Sequence, residues 1–196
     1  MPAEPAYVPA MPASPAAPPP APITADELLR MHVPGKQVEL VRGRLVVKEP
    51  PGYLHGDVTA RLAKVLMDHC ADHQAGRILV GDAGFQIARD PDTVRGPDIA
   101  FIARERVPEP RPVGYASFAP TLVVEVLSPH DRPGEILAKV GDWLEAGTRL
   151  IWAVDPERCL ARVYRDDGTQ SLLERDDALH GEDVLPGFTC PLAAIL

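Results

Sequence analysis

The segment 122–127, Leu-Val-Val-Glu-Val-Leu, constrains the fold more than any other stretch. Side chains alternate along a strand, so Leu122, Val124 and Val126 share one face while Val123, Glu125 and Leu127 share the other. Both faces are apolar, which marks a central strand covered on both sides. The exception is Glu125. An unpaired carboxylate in such a place costs several kcal/mol, roughly, and tends to take up a proton. Glu125 therefore needs a cation, a hydrogen-bond donor or a position near water. Ser128-Pro129 follows directly and ends the strand, close to an opening.

The other elements build around this strand. Thr24 with Glu27 three residues on predicts a capping box and a short helix from ITADELLRM. VELVRGRLVV reads as two strands turning at Arg42-Gly43, closed off by Pro50-Pro51-Gly52. A helical period over 55–70 aligns Val58, Leu62, Val65, Leu66 and His69, with Gly76 as a stop. Strands are expected at 77–80 continuing towards 85–88, then at 98–102 and 122–127. A second helix fits 134–146, with an apolar stripe of Ile136, Leu137, Val140, Trp143 and Leu144, stopped by Gly147. Strands then fit 150–154 and 160–164, and the remainder reads as short strand and loop. The order is hairpin, α, β, β, β, α, β, β: an α/β (α+β) domain, with a central sheet flanked by helices.

Residues 1–22 stand apart. Sixteen of the 22 are Ala or Pro, too few large apolar side chains to bury, so a disordered, partly polyproline-II tail is expected ahead of one domain at 23–196. The formal net charge of -8 and the lack of a long basic run give no support to tight, sequence-independent binding of phosphate backbones. Cys70, Cys159 and Cys190 are dispersed, with no CxxC pair, which argues for a reducing compartment. With no secretory leader or apolar run of membrane length, the expectation is a cytoplasmic protein.

Three polar residues lie within apolar elements. Asp98 opens the strand of GPDIAFI, and Glu125 sits on a neighbouring one. Two such carboxylates can hold one hard cation such as magnesium, which favours oxygen ligands. Lys139 lies at the edge of the second helix's stripe, beside Trp143. From helix geometry it either reaches over the sheet towards the carboxylates or makes an i,i+4 ion pair with Glu135.

These residues, in order, resemble a known pattern. Pro97-Asp98, 26 residues and then Glu125-Val126-Leu127 are similar to the PD-(D/E)xK motif of the restriction-endonuclease-like superfamily. One departure stands out: Leu127 occupies the place of the expected strand lysine. The closer resemblance is to the bacterial Uma-type family of restriction endonucleases. It rests on Glu39-Leu40-Val41-Arg42-Gly43, His55, Arg95-Gly96-Pro97-Asp98, the segment from Glu125 through Ser128-Pro129-His130-Asp131-Arg132, Lys139, and Trp152-Ala153-Val154-Asp155-Pro156. Any one piece is weak; all six in order are specific.

The resemblance implies a restriction-endonuclease-like core with an added N-terminal β-hairpin. It implies Mg2+, or Mn2+ in its stead, held by Asp98, Glu125 and the backbone carbonyl of Val126. Lys139 would replace the missing strand lysine and orient the attacking water. Glu39 would add a secondary or metal contact, or else pair with Arg42 or Arg44. His55 would contact a phosphate or the metal shell, or else be a satisfied histidine at the core's rim. DNA is the implied substrate and a homodimer the implied assembly. A non-catalytic binding or assembly protein on the same fold is the alternative, as is a metal-dependent phosphoesterase acting on RNA or another phosphoester. Asp155 reads first as a turn residue. The His69/His73 pair lacks the glutamate of a metalloprotease helix and reads as a polar helix end. Arg104, Arg106 and Arg111 read as a solvated loop before a DNA contact.

Overall fold

The computed structural model describes residues 21–129 and 131–196. All but the last two residues of the expected tail, and His130, lie outside this range. The elements run α1 (Ala25–Arg30), β1 (Gln37–Val41), β2 (Arg44–Lys48), α2 (Tyr53–His73), β3 (Gly76–Val80), β4 (Phe85–Ala88), β5 (Thr93–Arg95), β6 (Ile99–Ala103), β7 (Leu122–Val126), α3 (Pro133–Glu145), β8 (Leu150–Asp155), β9 (Leu160–Arg165), β10 (Gln170–Leu173), β11 (Ala178–His180) and β12 (Thr189–Pro191).

A six-stranded mixed sheet, ordered β10-β9-β8-β7-β6-β3, forms the centre. Only β7 and β8 are parallel, and α3 makes the crossover between them; every other pair is antiparallel. The alternation read from 122–127 is realised. Leu122, Val124 and Val126 pack with Val58, Leu62, Leu66 and Cys70 of α2. Val123 packs on the opposite side with Val140 and Trp143 of α3. Ile151 and Ala153 join the α3 side, while Leu150, Trp152 and Val154 join the α2 side. Each large side chain fully buried in these layers contributes about 1.5–3 kcal/mol by leaving water.

The hairpin grows into a second sheet, β2-β1-β5-β4, all antiparallel. Arg42 and Gly43 both have positive φ, 50° and 73°, which suits a two-residue type I′ turn. Leu40 and Val94 meet Ala25 and Leu28 of α1 beneath this sheet. The capping box is formed: Glu27 N–H donates to Thr24 Oγ1, and Thr24 N–H donates to Glu27 Oε2.

Several boundaries differ from the sequence reading. β3 and β4 are not one continuing strand; they belong to different sheets, separated at Gly81 and Asp82, both with positive φ. α2 ends on Gln74, which takes the left-handed conformation and donates its N–H to Cys70 O. Gly76 lies beyond that cap and starts β3, where a Cβ would sit 2.1 Å from Ile102 O. In α3, Leu137 is 56% exposed and Lys139 only 9%. The buried face is turned relative to the apolar stripe because acceptors on the sheet draw Lys139 inward.

Candidate functional site

The site forms where the two sheets meet. Glu125, second from the end of β7, faces α3. Lys139, Asp142 and Trp143 stand at i, i+3 and i+4 on α3, so they share one face of that helix. Lys139 Nζ donates to Glu125 Oε2 at 2.8 Å and to Gly96 O at 2.9 Å, and it lies 3.0 Å from Glu39 Oε1. Trp143 Nε1–H donates to Glu125 Oε1 at 2.9 Å. The buried glutamate thus has both a cation and a neutral donor. Lys139 reaches over the sheet rather than out to Glu135, whose charged neighbour is Arg132 at 3.9 Å.

Glu39 comes from β1. Its Oε2 accepts from Arg95 Nη1 at 2.7 Å, and its Oε1 accepts from Gly96 N–H at 3.1 Å. Arg95, the last residue of β5, also donates through Nε and Nη2 to Asp142 Oδ2 at 3.0 and 2.5 Å. Glu39 pairs with these cations and not with Arg42 or Arg44. Asp98 sits one residue before β6, and the first pair of the β6–β7 register is Ile99 with Val124. Asp98 Oδ2 accepts from Val126 N–H at 2.7 Å, and His55 Nε2 is 3.1 Å from Oδ1. His55 therefore touches an acid of the site from the first turn of α2.

The electrostatics follow from this layout. Burial pushes the Glu125 carboxyl up to about 7; Asp98 and Glu39 add to the rise and Lys139 opposes it. For Glu39 burial acts in the same upward sense, yet Lys139 and Arg95 outweigh it and bring the carboxyl down to about 2. The difference has a simple cause: Glu39 has two cations, while Glu125 has a share in one. Lys139 is held above its ordinary value by Glu125 and Glu39 despite burial. Burial alone would lower His55, but its bond to Asp98 and the charge of that carboxylate raise it.

A fifth carboxylate, Asp82, carries no signal in the sequence. It lies in the β3–β4 connection, with its backbone against Gly96, and Gln37 Nε2 donates to its Oδ2 at 2.5 Å. Although Asp82 stays open to solvent, desolvation by the packed chain, then the charges of Asp98 and Glu39, raise its carboxyl. Arg95, Asp142 and Trp143 were likewise unassigned as site residues.

Among the described residues, no three His, Cys, Asp or Glu side chains are grouped so as to hold a metal ion by themselves. Magnesium is commonly bound by one or two carboxylates with waters and substrate phosphates instead of an all-protein cage. Asp98 and Glu125 offer only oxygen, and the carboxyls of Glu125 and Asp82 are raised chiefly by burial, with the charge of Asp98 adding to both. The donor set fits a hard divalent cation.

The remaining candidates are accounted for locally. Asp155 accepts from Arg158 N–H at 3.0 Å and from Arg158 Nη1 at 3.2 Å, as a turn residue does. His69 and His73 stack at 4.2 Å, each with a ring nitrogen near a backbone carbonyl. Arg104 donates to Gln74 and Arg106 to Ala119 O.

Comparison with known proteins adds two findings. A family model described as "Uma2: Putative restriction endonuclease" matches residues 25–193. The crystal structure of a putative nuclease belonging to DUF820, from Anabaena variabilis ATCC 29413, superposes with a TM-score of 0.76 at 21% identity, covering 89% of this chain and 97% of that one. At that identity the likeness speaks for the fold. No curated protein matches the chain. No helix among the described residues is long and apolar enough to cross a membrane.

Proposed function

The chain belongs to the Uma2 family, described as a putative restriction endonuclease family, and from that premise we propose that it is a magnesium-dependent endonuclease hydrolysing phosphodiester bonds in DNA. The observation that carries this reading is the meeting of Glu125 and Lys139 at 2.8 Å beside Asp98, all delivered by buried or strand-linked backbone. Residues 23–196 would act as one domain.

In this reading Asp98, Glu125 and the carbonyl of Val126 hold Mg2+, with Mn2+ as a substitute. When bound, such an ion makes water a better nucleophile and offsets charge on a phosphoryl oxygen. The chain's residues supply the rest. Val126 N–H and His55 fix the two oxygens of Asp98. Trp143 fixes one oxygen of Glu125, leaving its second lone pair free. Lys139 holds the other oxygen and would present a positive charge to the attacking water and to the charge developing on the phosphoryl oxygens. His55, whose Nε2 holds Asp98, would in its protonated form add a positive charge towards a substrate phosphate. Cutting both strands of a duplex needs two sites, so a homodimer belongs to the proposal.

A second reading, a non-catalytic binding protein, is favoured by one feature: Glu125 already has a donor on each oxygen. The two readings separate in a calorimetric titration with Mg2+ and Mn2+ of the wild type and of Glu125→Gln, followed by incubation with supercoiled plasmid, single-stranded DNA and RNA. The nuclease reading expects cation binding that the variant loses, DNA cleavage, and loss of cleavage in Asp98→Ala. Full cleavage by Asp98→Ala overturns it. Cleavage confined to RNA transfers the reaction to that substrate.

A further inference from the structure

We propose that Glu39 is a positioning residue for Lys139, held in place by Arg95, so that the second sheet aims the lysine of α3. The proposal rests on Lys139 being part of the reacting centre and defines how it is placed there.

The contacts on Glu39 leave it little room to do anything else. One oxygen takes Arg95; the other takes Gly96 N–H and faces Lys139. Two cations and an amide take three of the carboxylate's four lone pairs and offset its charge, which makes it a poor ligand for a third cation and a good anchor for an ammonium. Lys139 has three donors, and three acceptors surround it at 2.8–3.0 Å: Glu125, Gly96 O and Glu39. They come from β7, from the segment before Asp98 and from β1, so the ammonium is held from three separate parts of the chain.

Arg95 closes the arrangement. Its fork spans Glu39 on β1 and Asp142 on α3, and Asp142 lies one turn from Lys139. Arginine suits this task because its planar, permanently charged fork can bind two carboxylates in fixed directions. Displacing Glu39 would leave Lys139 shared only between Glu125 and a neutral carbonyl. The ammonium could then swing out along its flexible stem.

The test reads Lys139 directly and needs no enzymatic activity. The full chain, in EDTA, is treated with a water-soluble acetylating ester, and modification of Lys139 is followed by mass spectrometry. Thiol labelling of the buried Cys70 and Cys190 monitors general loosening. Glu39→Leu removes the carboxylate while Arg95 keeps Asp142. Lys139 should then label about ten- to a hundredfold faster, the factor carried by one charge-assisted hydrogen bond. Glu39→Gln, which keeps an acceptor oxygen, should fall between wild type and Glu39→Leu. Arg95→Met should raise the rate alone and add nothing on top of Glu39→Leu. Wild-type protection of Lys139 in a folded Glu39→Leu protein overturns the proposal. So does acceleration of Lys139 and both cysteines in parallel, which would make Glu39 a general structural residue. An additive effect of Arg95→Met overturns the route through Glu39. If the chain cleaves no nucleic acid, the labelling result still stands, and only the purpose of the positioning is lost.

Discussion

Replacing Glu125 by Gln should make the protein's stability less sensitive to pH, by an amount fixed by the surroundings of the carboxyl. Burial, with Asp98 and Glu39 nearby, raises Glu125 from 4.5 to about 7. The folded chain therefore holds a proton over an interval in which the unfolded chain has lost it. For a carboxyl raised in this way, the stabilising contribution is complete below 4.5 and is lost as pH rises through about 7. The gap corresponds to about 3 kcal/mol. Glu39 acts in the opposite sense. Lowered to about 2, it contributes stability that is present above 4.5 and lost as pH falls through about 2. It does so in both proteins and cancels in their difference. Urea unfolding of wild type and Glu125→Gln, in EDTA, at about pH 5 and about pH 8 isolates the one group. At the lower pH both side chains are neutral, and the Gln amide, whose NH2 cannot accept from Lys139 or Trp143, gives the variant a fixed offset that does not change with pH. At the higher pH the variant should have gained about 3 kcal/mol relative to wild type. A difference constant to within about 0.5 kcal/mol, or one of opposite sign, would mean that Lys139 fully neutralises Glu125 and that burial does not govern its ionisation.

Trp143→Phe keeps the ring that meets Phe85 edge-on but removes the donor to Glu125. It should destabilise the protein by about 1.5–3 kcal/mol at a pH where Glu125 is ionised and by less where it is protonated, read from paired urea curves. Thr24→Ala breaks the capping box of α1 and should cost about 1 kcal/mol, measured by the same method. Gly76→Ala places a Cβ 2.1 Å from Ile102 O at a φ of 156°. The β3–β6 pairing must shift to admit it, so a loss of about 1–3 kcal/mol or more is expected in thermal or urea unfolding.

What could be read in advance was whatever depends on near neighbours in the chain. The alternation at 122–127 assigned side chains to the correct layers, because a strand's period leaves no freedom once both faces are buried. The capping box spans four residues and formed as read. The pairing of charges was not legible, because it depends on how distant segments meet. Arg95 lies 56 residues from Glu39 and 47 from Asp142, and nothing local marks it as buried. β5 is three residues long, too short for a periodic signal. Asp82 faces the site only because Gly81-Asp82 turns the chain out of the central sheet. The stripe on α3 misled at Leu137 because apolar periodicity counts a lysine as an outward residue. Lys139 is buried, and its burial turns the helix.

In the proposed reading, Leu127 standing where the resemblance expects a strand lysine gives the second sheet its importance at the site. Residue 127 lies on the same face of its strand as Glu125, and there Leu127 packs with the apolar cluster under α3. A lysine at that position would have been aimed by the sheet itself. A lysine from a helix approaches across the layer on a long stem, and fixing that stem costs up to about 2 kcal/mol of rotamer entropy. Glu125 alone cannot offset this well, since it is buried and inclined to protonate. A carboxylate that stays ionised is needed as well. Glu39 meets that need because Arg95 accompanies it, and both residues lie on strands outside the central sheet. In the proposed reading, a lysine presented from α3 and the β1–β5 pair that holds it are two parts of one solution, in which the second sheet supplies the fixed negative charge that the central sheet lacks.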